Sequence, residues 1–72
     1  MPLEIQKKAE GKEQIFRKNP FDSRLKTHRL QGRLNEFWAF WVDYRIRIVF
    51  KFLDKGDIWF YAIGDHSIYK KL

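Results

Sequence analysis

The stretch Phe37-Trp38-Ala39-Phe40-Trp41-Val42-Asp43-Tyr44-Arg45-Ile46-Arg47-Ile48-Val49-Phe50-Lys51-Phe52, continued by Leu53-Asp54-Lys55-Gly56-Asp57 and Ile58-Trp59-Phe60-Tyr61-Ala62, carries the clearest structural pattern in the chain. Its apolar residues recur with period two: Trp38, Phe40 and Val42, then Ile46, Ile48, Phe50 and Phe52, then Ile58, Phe60 and Ala62. Such alternation, rich in aromatic and β-branched residues, reads as three strands in succession. The connections Asp43-Tyr44-Arg45 and Asp54-Lys55-Gly56-Asp57 are too short for a crossover, so neighbouring strands pair antiparallel as hairpins. The result is an antiparallel meander.

Ahead of these strands, Leu3 to Lys18 is polar and charged, with apolar residues at Leu3, Ile5, Ala9, Ile15 and Phe16 and a Gly at 11 that weakens a helix. One or two loose helical segments are expected there. Asn19-Pro20 breaks the stretch, because the residue before a proline is pushed out of the helical region. Asp22 or Ser23 then caps a short helix through Leu30, and Gly32 ends it. Helices ahead of an antiparallel sheet give an α+β fold, with N-terminal helices packed on the face made by Ile46, Ile48, Phe50 and Phe52. The other face is left open, presenting Arg47, Val49 and Lys51 between Trp41 and Asp43 on one neighbour and Trp59 and Tyr61 on the other.

Residues 1–72 make one domain, since so short a chain buries only about 60% of the surface its unfolded form exposes. With 44% hydrophobic and 18% aromatic residues it still has a core to build. Fifteen Lys and Arg against nine Asp and Glu leave +6, a balance that favours a polyanionic partner and equally serves solubility. The absence of cysteine excludes disulfides and thiolate metal sites and suits a reducing cytoplasm. Neither a membrane span nor a signal peptide is visible. Glycine-rich phosphate loops, Gly-x-Ser-x-Gly, His-Glu-x-x-His and carboxylate clusters are missing too, so no cofactor and no metal is expected.

Of the two histidines, His28 and His66, His28 lies between Lys26 and Arg29, and His66 follows Asp65 with Lys70 and Lys71 a few residues on. A histidine titrates near pH 6.5 and can move a proton at neutral pH, as RNA scission through a 2′-hydroxyl requires; an isolated one is more often structural. Arg47 has the planar, permanently charged fork that holds two phosphate oxygens, and it reads also as an exposed strand cation facing Asp43. Tyr69 reads as a base-stacking or proton-tuning group, or as packing. Arg29, Arg33, Arg45, Lys51, Lys70 and Lys71 are the candidate RNA-binding cations, with Arg24 and Lys26 on the same rim; charge runs of this kind also occur as plain solvated faces.

The ordered series Asn19-Pro20-Phe21-Asp22, Leu25-Lys26-Thr27-His28-Arg29-Leu30-Gln31-Gly32-Arg33-Leu34, Phe37-Trp38-Ala39-Phe40, Tyr44-Arg45-Ile46-Arg47-Ile48-Val49-Phe50 and Ile63-Gly64-Asp65-His66-Ser67-Ile68-Tyr69 resembles the RelE/ParE toxin superfamily, in particular its RelE, YafQ and plasmid-stabilisation members. The resemblance implies a RelE-like sheet and the toxin of a type II toxin–antitoxin pair. Such a toxin is a metal-independent endoribonuclease that cuts messenger RNA, often on the ribosome, and is silenced by a cognate antitoxin. It assigns the phosphate contact to Arg47, proton transfer to His66 and the following aromatic to Tyr69, and it matches His28 to a catalytic histidine that some members use. Two departures stand out. RelE carries lysines on the strand where this chain has Trp38 and Phe40, which makes the expected chemistry histidine-centred. Members also begin with a strand and a longer helical hairpin, so 1–72 reads as a domain shortened at its N-terminus, with an open sheet edge that invites a homodimer or pairing with an antitoxin segment. A ParE-like gyrase inhibitor and a non-toxic remnant that binds an antitoxin are the alternative readings.

Overall fold

The computed structural model describes residues 2–71, with only the backbone at Lys71. One helix precedes a four-stranded antiparallel sheet: α1 (Leu3–Lys18), β1 (His28–Arg29), β2 (Trp38–Trp41), β3 (Arg47–Phe52) and β4 (Ile58–Gly64), in the spatial order β1-β2-β3-β4. The α+β arrangement expected from the sequence is present, with a single helix in the N-terminal layer.

Helix α1 starts with the amides of Ile5 and Gln6 donating to the Pro2 carbonyl, each at 3.1 Å, and no side chain caps it. Glu4 in the first turn and Arg17 and Lys18 in the last complement the helix dipole. Gly11 does not interrupt it. At the far end Asn19 turns extended ahead of Pro20. The helix buries one residue fully, Phe16, whose ring stacks on Phe40 and meets Phe50 edge-on, both at 4.9 Å between centroids. Leu25 closes that cluster, with Ile15, Trp38, Ile48 and Ile58 packed around it.

The predicted short helix after Asp22 does not form. The Asp22 carboxylate instead accepts the Arg24 amide at 2.9 Å and binds the Arg24 guanidinium, which favours a local turn over a helical one. These Arg24 contacts pull the Asp22 carboxyl down to about 2. Lys26 then takes a left-handed conformation, φ 52°, and the chain leaves as β1, the fourth strand that periodicity had not revealed. Leu25, fully buried, anchors the turn and its carbonyl accepts the Trp41 amide at 2.8 Å.

Two corrections concern the faces of the sheet. Phe50 pairs with Phe60 whereas Val49 pairs with Ala62, so a β-bulge inserts Tyr61. The strict alternation Ile58, Phe60, Ala62 therefore fails: Ala62 lies in the row of Val49, and Ile63 opposite Ile48. Nor is the face away from α1 open. Ala39 and Val49 have no exposed surface and are covered by Leu30, Leu34, Phe37, Ile68 and Tyr69. The strongly exposed part of the sheet is β4, an edge strand on which Trp59, Phe60, Tyr61 and Ile63 all reach solvent. An apolar groove of about 350 Å³ runs between it and Ala9, Glu10 and Glu13 of α1.

Two substitutions test this packing by urea unfolding. Phe50→Ala, at the meeting point of helix and sheet, should cost about 3–5 kcal/mol. Gly11→Ala, where a Cβ meets only open space, should stabilise by up to about 1 kcal/mol.

Candidate functional site

The site grows from the turn between β2 and β3. Asp43 Oδ1 accepts the amides of Arg45 and Ile46, both at 2.8 Å, and the Val42 amide donates to the Ile46 carbonyl at 2.8 Å. The two amide contacts hold the Asp43 carboxyl below its usual range, against the opposing effect of burial, and the Lys8 ammonium 3.6 Å away adds to them. Arg47 follows directly. Its Nη1 donates to the Asp43 carbonyl at 2.9 Å, and its Cζ sits 4.0 Å from the centre of the Trp41 ring. The guanidinium is thus fixed by one hydrogen bond and one aromatic face, with other N–H groups left for a ligand. Lys26 Nζ lies 5.6 Å from the same ring.

The other wall comes from the chain after β4. Gly64 pairs with Arg47, and the 3-10 helix His66–Lys71 then folds back over the sheet. Asp65 Oδ1 accepts the Ser67 amide at 2.9 Å and its hydroxyl at 2.6 Å, and the Ile68 amide donates to the Asp65 carbonyl at 3.0 Å. Ile68 and Tyr69 seat the helix on Ala39 and Val49. A Cβ on Gly64 would collide with Cγ2 of Ile68, so this approach needs glycine. His66 meets Tyr69 edge-on at 5.4 Å. Burial raises the Tyr69 hydroxyl above the usual phenol range while the Arg47 charge draws it back, so the phenol keeps its proton at neutral pH.

Between these walls lies an open cleft of about 510 Å³ lined by Tyr44, Arg45, Arg47, Asp65, His66 and Ser67. Of the residues singled out in the sequence, Arg45, Arg47 and His66 share this cleft, and Tyr69 adjoins it through His66. His28 stands on the same face, opposite Ala39, with Nδ1 3.0 Å from the Lys26 carbonyl, and does not line the cleft. Trp38 and Phe40 point to the α1 side, so Ala39 and Trp41 are the β2 residues on the site face.

The cations do not form one rim. Arg29 Nε donates to the Asn35 carbonyl at 2.6 Å, and Lys51 Nζ is 3.2 Å from Glu36 and 5.1 Å from the Phe37 ring centre. Both line a second cleft at the opposite end of the sheet. Lys51 is four residues beyond Arg47 on β3, about 13 Å along the strand. Arg33 belongs to the 3-10 turn Gly32–Leu34, Lys70 is exposed beside Tyr69, and the Lys71 side chain lies outside the described residues. Tyr44, Gly64, Asp65 and Ser67 were not picked out as site residues from sequence. The spacing Asp65-x-Ser67, which builds a side-chain-closed turn, was the signal available for two of them.

Among the described residues no group of three or more His, Cys, Asp and Glu is placed to hold a metal ion, and no helix is long and apolar enough to cross a membrane. Comparison of the chain with protein-family models, curated proteins and solved structures found no match.

Gly64→Ala should displace the terminal 3-10 helix and cost about 1–3 kcal/mol, read as a lower urea midpoint together with altered His66 and Tyr69 resonances. Because the Asp43 carboxyl is lower folded than unfolded, its contribution is present above the unfolded value and lost as pH falls through the folded one. In acid titrations of stability, Asp43→Asn should therefore be weaker than the parent at neutral pH and lose less on acidification.

Proposed function

We propose that the chain is the toxin of a type II toxin–antitoxin pair and cuts messenger RNA without a metal ion. The observation that carries this reading is the convergence of Arg47 on β3 with His66 and Tyr69 of the 3-10 helix after β4 at one cleft and its margin. Scission by transesterification needs an acceptor for the 2′-proton, a fixed cation for the phosphorane's charge and a proton for the departing 5′-oxygen. The His66 imidazole takes the 2′-proton as the 2′-oxygen bonds to phosphorus. Arg47, held by Trp41 and the Asp43 carbonyl, binds the non-bridging oxygens. The 5′-oxygen leaves with a proton, and Tyr69, which keeps its hydroxyl hydrogen, stands beside His66 as a donor. The products are a 2′,3′-cyclic phosphate and a 5′-hydroxyl end.

The resemblance to RelE-like toxins supports the same assignment and adds cytoplasmic action on translated messages. It also implies a cognate antitoxin. The exposed, uncharged edge strand Ile58–Gly64 offers such a partner a row of backbone groups to pair with.

Induced expression tests the reading. The parent should arrest growth and leave new message ends by primer extension, and His66→Ala and Arg47→Ala should each reduce cleavage by about 100-fold or more. Arrest with no new ends and blocked supercoiling would favour gyrase inhibition. Absence of arrest would favour a non-toxic antitoxin-binding remnant.

A further inference from the structure

We propose that Tyr44, backed by Arg45, is a stacking shelf for an unpaired base of single-stranded RNA next to the phosphate held by Arg47. The proposal rests on the ribonuclease reading and names how that site takes its substrate. Tyr44 is 71% exposed, more than any other large hydrophobic residue among those described, and no ring–ring contact engages it. An exposed ring on a slack loop would say little. This one sits at the tip of a turn closed by the two Asp43 carboxylate contacts and the Val42–Ile46 hydrogen bond, and tied to α1 through Lys8. The turn therefore holds the ring without burying it.

Its surroundings indicate the ligand. The Arg45 guanidinium lies 5.3 Å from the Tyr44 ring centre, and both residues line the cleft that contains Arg47 and His66. A flat aromatic surface beside cations matches a nucleobase joined to phosphates: the base stacks while the guanidinium groups meet the backbone. Duplex RNA would not fit this use, because its bases are already stacked on each other. An acidic protein segment could satisfy the cations but would leave the ring's flat face without a planar partner. The selectivity expected is thus for a single strand with a splayed base, tolerant of base identity, since every base presents a π-face.

Fluorescence anisotropy with a labelled, single-stranded 2′-O-methyl oligonucleotide, which cannot be cleaved, tests this. The parent should bind the single strand more tightly than its duplex. Tyr44→Ala should weaken single-strand binding roughly 5- to 150-fold, the range that stacking of one base supplies, and Tyr44→Phe should bind like the parent. The thermal midpoint of Tyr44→Ala should be unchanged, as the side chain is exposed. Equal affinity of Tyr44→Ala and the parent would overturn the shelf and leave the ribonuclease reading standing. Failure of the parent to bind any oligonucleotide would overturn the shelf as well, whereas the ribonuclease reading is overturned separately, by the absence of message cleavage on induced expression.

Discussion

Everything in this domain hangs on β3 being covered on both faces. Val49 and Phe50 are adjacent, point to opposite sides, and neither has exposed surface. On one side Phe16 of α1, with Phe40 and Leu25, encloses Phe50. On the other, the segment containing Leu30, Leu34 and Phe37 and the terminal helix carrying Ile68 and Tyr69 enclose Val49. A chain of 72 residues has few apolar groups to spend. Using this 3-10 helix as the second cover has a consequence for chemistry, because the element whose Ile68 and Tyr69 bury Val49 also brings His66 and Tyr69 to the strand that starts with Arg47.

The electrostatics of the site follow from that geometry. Arg47 stays near the surface at the strand's end, where its charge costs little desolvation, yet Trp41 and the Asp43 carbonyl restrict its orientation. Asp43 contributes through its side chain as well as its carbonyl. With its carboxylate spent on two backbone amides, it shapes the turn more than it neutralises Arg47. At the other end of β3, Lys51 is matched by Glu36 and faces aromatic rings. The positive balance of the chain is therefore spread over the surface, and the cleft is distinguished by how its groups are held.

Period-two alternation made β2, β3 and β4 legible in the sequence, together with the covering of Ile48 and Phe50 by a helix. Strand β1 was hidden because two exposed residues carry no alternation, and because Asp22 and Ser23 look like helix caps until Asp22 commits its carboxylate to Arg24. The bulge at Tyr61 escaped because one extra residue in a run of apolar side chains leaves no compositional mark. The cover over Val49 escaped for a different reason: Ile68 and Tyr69 act at long range, from a segment whose path depends on the missing side chain of Gly64. Of the candidate site, Arg47, His66 and Tyr69 were named from sequence and do converge, whereas Tyr44 looked like a connector. The cations Arg29 and Lys51 were grouped with the site on charge alone, and the register of the sheet places them at its far end.

The reaction proposed for Arg47, His66 and Tyr69 is internal transesterification of RNA. The most direct measurement is the chemistry of the ends produced when the purified protein, in EDTA, is given messenger RNA with and without translating ribosomes. Transesterification leaves a 2′,3′-cyclic phosphate on one fragment and a 5′-hydroxyl on the other, and a single 2′-deoxy substitution at the cut site should block cleavage. Fragments bearing 5′-phosphate and 3′-hydroxyl ends, or no cleavage under either condition, would contradict it.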